Sequence, residues 1–133
     1  LCRQTVELVD IYPTLADLTG IKPSAALEGE SLVPLLKNPE TQWEHAAYTQ
    51  VQRGKVPGHS VRNRLWRYTE WDFGNAGAEL YNEETDPKEL YNLAADPRYR
   101  EVVAKMRDLL KKVHPVPVEG GKAIAETKEK FCN

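Results

Sequence analysis

The stretch 60–94 constrains the fold more than any other part of the chain. It opens on Ser-Val-Arg-Asn-Arg-Leu-Trp-Arg-Tyr-Thr-Glu-Trp, rich in aromatic and β-branched residues that suit a half-buried pleated surface. Asn63, Arg64 and Leu65 interrupt this run where a short hairpin connection fits. After the Gly-containing break at 72–77, the run 78–83 returns as a further antiparallel strand. Asp86-Pro87 stops it, because proline cannot donate to a ladder and Asp closes a local turn. The reading is a three-stranded meander with an ordered exit loop.

A fourth strand is expected at 46–52, where Ala47, Thr49 and Val51 alternate with Tyr48, Gln50 and Gln52. The segment 53–58, Arg-Gly-Lys-Val-Pro-Gly, reads as a flexible basic loop. An antiparallel sheet of four strands needs one face covered. Asp96-Pro97 supplies the helix start, Asp as N-cap and proline at the first helical position. Val102, Val103, Met106, Leu109, Leu110 and Val113 then form one apolar stripe. Lys111 and Lys112 suit the C-terminal end of the helix dipole, and Pro115 and Pro117 end the helix. Met106 reads as core filler and Trp66 as packed beneath the helix. The fold class is α+β: a small four-stranded antiparallel sheet covered on one face by a C-terminal amphipathic helix.

Upstream, Asp10 is placed as an N-cap with Pro13 in the first turn, Leu15 and Leu18 on the buried side, and Gly20 as a left-handed C-cap. A second short helix follows Ser31, again with a proline, Pro34, in its first turn. Ser31 is a cap and not a nucleophile, since it lacks the flanking glycines of a nucleophile elbow. Cys2 and Cys132 pair with each other or stay as separate thiols; two cysteines do not decide between these. The chain of 133 residues begins at Leu1 without methionine, which suits a fragment or a processed chain. A net charge of −2 gives no reason to expect nucleic acid or an acidic membrane surface, and no apolar run is long enough to span a bilayer.

Arg62, the run Trp66-Arg67-Tyr68-Thr69-Glu70-Trp71, Glu79-Leu80-Tyr81, Asp86-Pro87, Glu89 and Asn92-Leu93-Ala94 together resemble the closing segment of the type I sulfatases, in the alkaline phosphatase superfamily. Segment 7–15 resembles the part that follows the last catalytic loop of the large domain. Segment 27–36 resembles the element G-x-S-L-x-P-L-L that leads out of it. The resemblance runs over roughly 5–113. It implies that 1–40 are the tail of a large α/β catalytic domain, short helices included. It makes 41–133 a C-terminal subdomain with a charged tail from about 115.

The same resemblance implies hydrolysis of sulfate esters, with a formylglycine made from Cys in a C-x-P-S-R-like motif and a calcium ion. Neither Cys2 nor Cys132 stands in such a motif, so both groups are expected in an upstream domain and the isolated chain is expected to be inactive. Its partners are then that catalytic domain and a sulfated sugar, in the periplasm or outside the cell.

What remains here is recognition. Arg53, Lys55, His59, Arg62, Arg64 and Arg67 gather cations near one loop and hairpin, and arginine engages oxyanions in a bidentate way. His59 and Arg62 are expected to shape a substrate rim. Gln50 and Arg53 resemble a patch of iduronate-2-sulfatase-like members. Arg64 and Arg67 read more simply as solvated strand decoration, and Asp86 and Glu89 as turn chemistry. Two other functions remain open: a stand-alone module binding anionic glycans, and a phosphoester or phosphonate hydrolase of the same superfamily.

Overall fold

The computed structural model describes residues 1–23 and 26–113. The charged tail and Cys132, with the pairing considered for it, lie outside the described residues. Four strands, β1 (Ala47–Arg53), β2 (Val56–Arg62), β3 (Trp66–Trp71) and β4 (Ala78–Asn82), form one antiparallel sheet in the order β1-β2-β3-β4. Helix α1 (Ile11–Thr19) and the short α2 (Val33–Lys37) precede it, and α3 (Arg100–Val113) follows. The α+β architecture expected from the sequence is the one observed.

The core lies between the sheet and α3. Val61, Tyr68 and Leu80 from three adjacent strands close on Met106 and Leu110 of the helix, all buried. Each such side chain contributes about 1.5–3 kcal/mol by leaving water. Trp66 packs at the margin, edge-on to Tyr99 at 5.6 Å between ring centroids. Asp96 accepts a hydrogen bond from the Arg98 amide (2.9 Å), and one 3-10 turn (Pro97–Tyr99) leads into α3. The exit loop covers the free edge of β4. The Leu80 amide donates to Asn92 Oδ1 (3.0 Å), Leu93 N–H to the Leu80 carbonyl (2.8 Å), and Asn92 Nδ2 to the Ala78 carbonyl (3.1 Å). An edge strand capped this way offers no free ladder to another chain.

Two expectations are corrected. The segment 53–58 is not a flexible loop. Arg53 pairs with Val56 across a two-residue turn that begins with Gly54 at φ 60°, and Val56, Pro57 and Gly58 already belong to β2. Pro57 is tolerated because it sits opposite Gln52, one step from the turn, where its missing N–H would face away from β1. On that side β3 has ended, since its pairing with β2 starts at Gly58 opposite Trp71.

The second correction concerns α1. Gly20 caps the helix at φ 70°, but Leu15 and Leu18 are 54% and 58% exposed. The buried side is polar instead. Asp10 accepts the amides of Glu7 (2.8 Å) and Glu30 (3.0 Å) rather than capping its own helix, and Thr14 accepts that of Leu32 (2.8 Å). Leu8, Ile11, Leu15 and Leu18 recur at helical spacing and form an outward stripe.

Candidate functional site

Strand parity decides which side chains share the uncovered face of the sheet. With the observed register, Ala47, Thr49, Val51 and Arg53 of β1 lie beside Gly58, Ser60 and Arg62 of β2. Next come Arg67, Thr69 and Trp71 of β3, then Glu79 of β4. Together with residues 2–6 and Arg64 they line an open cleft of about 700 Å³. The N-terminal residues are held there by the Trp43 indole, which donates to the Thr5 carbonyl (3.0 Å), and by Glu7, which accepts the Tyr48 amide (2.8 Å).

The floor of the cleft is small and polar. Thr69 Oγ1 donates to Ser60 Oγ (3.0 Å), which donates to the Tyr68 carbonyl (3.2 Å). At one end Arg53 lies over the Trp71 ring, 4.5 Å from its centroid, and the indole N–H donates to Glu79 (3.2 Å). Gly58 makes this possible. A Cβ there would fall 2.6 Å from Trp71 Cζ3 and 2.9 Å from Val51 Cγ1.

Arg62 and Arg67 are direct cross-strand partners, an arrangement of like charges that is unfavourable by itself. Each has its own carboxylate. Arg62 Nη2 stands 2.7 Å from Glu83 Oε2, and Arg67 makes a two-pronged contact with Glu89. Arg67 also lies over the Tyr81 ring at 5.3 Å. Arg67 is therefore a half-buried, paired group and not solvated decoration. Glu83 has a side chain only 9% exposed, and among the described residues its Oε1 has no hydrogen-bond partner. Burial pushes its carboxyl above the usual range; Arg62 opposes this and nearby Glu89 adds to it.

The four residues singled out from the sequence do not gather at one place. Arg53 and Arg62 are exposed on the open face, toward opposite ends of the cleft. Gln50 and His59 are cross-strand partners on the other face, the one α3 covers. His59 is 6% exposed, with its ring 5.0 Å from that of Phe73. Burial lowers its pKa, and Glu70 pulls it partly back. Asp86 keeps its turn role by accepting the Tyr91 amide (2.9 Å), whereas Glu89 serves as the counter-ion of Arg67. Glu83 and the Arg53–Trp71 stack were not singled out beforehand. Alternation along β1 and β3 was the only local signal for the stack, and Glu83 lies just past the end of β4.

Among the described residues no three His, Cys, Asp or Glu side chains gather as a metal site. Cys2 is exposed, with its Sγ 3.8 Å from the Pro39 carbonyl oxygen. Among the described residues no helix is long and apolar enough to cross a membrane.

This fold is shared with parts of larger solved hydrolases. A solved 2-O GAG sulfatase matches with TM-score 0.65 and 33% identity over 92% of this chain and 25% of its own. The phosphonate monoester hydrolase of Agrobacterium radiobacter matches with TM-score 0.61 and 28% identity, covering 79% of this chain and 24% of that one. The chain belongs to the family described as N-sulphoglucosamine sulphohydrolase, C-terminal, whose model matches residues 2–115. Among curated relatives, the Delta 4,5-hexuronate-2-O-sulfatase of Bacteroides thetaiotaomicron is 37% identical over 111 residues, 80% of this chain. Arylsulfatase K of Danio rerio is 28% identical over 134 residues. The chain spans 23% and 25% of the lengths of these two relatives.

Proposed function

We propose that this chain is the C-terminal portion of a sulfatase acting on sulfate esters of sulfated carbohydrates, and that it supports an active site built by residues upstream. On this reading 1–40 are the tail of the catalytic domain and 41–133 the C-terminal subdomain, with a charged tail from about 115. The catalytic domain is its partner, seated on the outward stripe of α1. Calcium and formylglycine belong to that domain. A periplasmic or secreted location goes with such a substrate.

The observation that carries the reading is a basic cleft in a chain of this family: Arg53 and Arg62 stand exposed on its wall. Their role is to draw in and orient an anionic sugar, because guanidinium groups match sulfate and carboxylate geometry. Gln50 and His59 act from the reverse face, as support for the elements that carry the rim. A free-standing glycan-binding module is disfavoured by the stripe of exposed leucines on α1, which a self-contained body would cover.

The test uses the full-length enzyme and measures sulfate released from a sulfated uronate-containing disaccharide. Arg53→Ala and Arg62→Ala are each expected to lower kcat/KM by about tenfold, equivalent to about 1.4 kcal/mol. Unaltered kinetics in both variants would remove the rim role. Because a phosphonate monoester hydrolase shares the fold, a phosphonate monoester is assayed in parallel. Turnover of that compound, with no sulfate release from any sugar, would replace the sulfatase reading with that of a phosphonate hydrolase.

A further inference from the structure

Among the described residues, only the connection between β3 and β4 has two adjacent non-glycine residues at positive φ. Asp72 and Phe73 both take left-handed backbone angles, φ 48° and 54°, and Gly74 follows at φ 93°. Two consecutive non-glycine residues rarely occupy that region, and they persist there only where the surroundings over-determine them. Here the surroundings do. The Asn75 amide donates to the Asp72 carbonyl and the Ala76 amide to that of Trp71, both at 3.0 Å. The Phe73 ring rests on buried His59, 5.0 Å between centroids. Gly74 sits against the side chains of Glu70 and Arg107, each 3.9 Å from where a Cβ would stand. Glu70 is itself fixed by Tyr68 (2.8 Å) and Arg107 (2.6 Å). Nothing in strand pairing requires this shape, since a two-residue turn suffices between β1 and β2 at the same end of the sheet.

The same end carries several cations. Lys111 and Arg107, the latter paired with Glu70, line a polar hollow of about 330 Å³ with Glu70, Phe73, Gly74 and Asn75, and Arg53 is stacked on Trp71, the residue just before the loop. Lys55 lies in the neighbouring turn. An anionic ligand lying across this end meets cations on both sides of a loop that does not have to reorganise to receive it, which is how pre-organisation strengthens binding.

We infer that the loop 72–77 is a preformed recognition element for an anionic sugar ring of the substrate, one beyond the ring whose sulfate is cleaved, with His59 as its positioning residue. This rests on the sulfatase reading and deepens it. His59 touches no substrate. It holds Phe73, and Phe73 holds the turn.

The experiment compares two substrates on the full-length enzyme: a sulfated uronate-containing disaccharide, and 4-nitrocatechol sulfate, which has no second ring. The readout is the ratio of their kcat/KM values. Phe73→Ala and His59→Ala are each expected to lower that ratio by about tenfold, mainly through the KM of the disaccharide. His59→Phe, which keeps a ring under Phe73, is expected to restore most of it. Asn75→Ala tests the loop without touching its packing, should Phe73→Ala fail to fold, and a fall in the ratio is expected there too. A ratio unchanged in the variants that fold, or equal losses on both substrates that His59→Phe does not rescue, would overturn the inference. Absence of sulfate release from either substrate by the unaltered enzyme overturns the sulfatase reading instead, and this inference with it.

Discussion

The phenol of Tyr68 donates a 2.8 Å hydrogen bond to Oε1 of Glu70, two residues along the same strand. Arg107 Nε reaches the same oxygen from α3, at 2.6 Å. One buried carboxylate thus fastens the covering helix to the middle of the sheet. Burial first, then Glu70, pushes the Tyr68 hydroxyl up to about 12, so it remains a donor throughout the physiological range.

Removing either donor should loosen that attachment by different amounts. Tyr68→Phe keeps the ring in the core and deletes one hydrogen bond, at a cost of about 1–2 kcal/mol. Arg107→Ala strands a buried carboxylate; because the guanidinium is 44% exposed and partly screened, we expect about 2 kcal/mol rather than the full cost of a broken buried pair. Urea midpoints of the two variants check the order. A smaller loss for Arg107→Ala than for Tyr68→Phe would contradict this account.

Gly58 lies under the Trp71 ring, and its replacement is a steric matter. In Gly58→Ala the new methyl meets the ring at 2.6 Å and Val51 at 2.9 Å, so the indole must lift and the Arg53 stack must open. Overpacking of this kind costs about 1–3 kcal/mol. The expected signature is a lowered melting temperature together with a red-shifted tryptophan emission, as Trp71 becomes more hydrated. An unchanged spectrum would mean the ring is not seated as described.

Stability should also respond to acid through His59. Its pKa in the fold is lowered, chiefly by burial, with Glu70 opposing. The fold therefore binds this proton less readily than the unfolded chain. The associated stability is complete above the unfolded pKa of about 6.5 and is lost as pH falls from there through the folded value. Thermal midpoints between pH 7.5 and 5 should decline less steeply in His59→Phe than in the unaltered chain. Parallel curves would show that the histidine does not carry the effect.

Glu83 works in the opposite sense. Its raised pKa, again chiefly from burial, means that the fold favours the protonated acid. That preference stabilises fully below the unfolded carboxylate range and fades as pH rises through the folded value. Glu83→Gln keeps an acceptor for Arg62 and supplies a donor toward Glu89, so it should match or exceed the unaltered stability at pH 7. Loss of more than about 1 kcal/mol would show that the charged Arg62–Glu83 pair outweighs the burial cost.

Much of this architecture was present in the sequence, and the reason is local. Alternation marked β1 and β3, breakers marked their ends, and the spacing of Val102, Met106 and Leu110 marked the covering helix. The site residues fall on two faces of the sheet for a reason the sequence also contains. His59 and Arg62 are three positions apart on one strand, so a period of two must put them on opposite faces. Other features needed the tertiary fold: Glu89 reaches Arg67 from 22 residues away, and the left-handed turn at Asp72 and Phe73 has no glycine at either position to announce it. For α1 the periodicity was readable but its direction was not, because a stripe of leucines does not specify which surface it meets.

That stripe leads to the last prediction. Leu8, Ile11, Leu15 and Leu18 face outward while Asp10 and Thr14 face the chain's own loop, the reverse of an ordinary surface helix. Apolar side chains arranged this way promote association unless another surface covers them. The 133-residue chain alone should therefore self-associate as concentration rises, as seen by light scattering or sedimentation. Leu15→Lys with Leu18→Lys should make it monomeric while changing its own stability by less than about 0.5 kcal/mol, since neither side chain is buried in it. In the proposed full-length enzyme the same two lysines should instead be strongly destabilising, because they would place two unpaired charges in an apolar interface. If the double variant melts at the same temperature as the unaltered full-length enzyme, the stripe is a free surface and the proposed seat of the catalytic domain lies elsewhere.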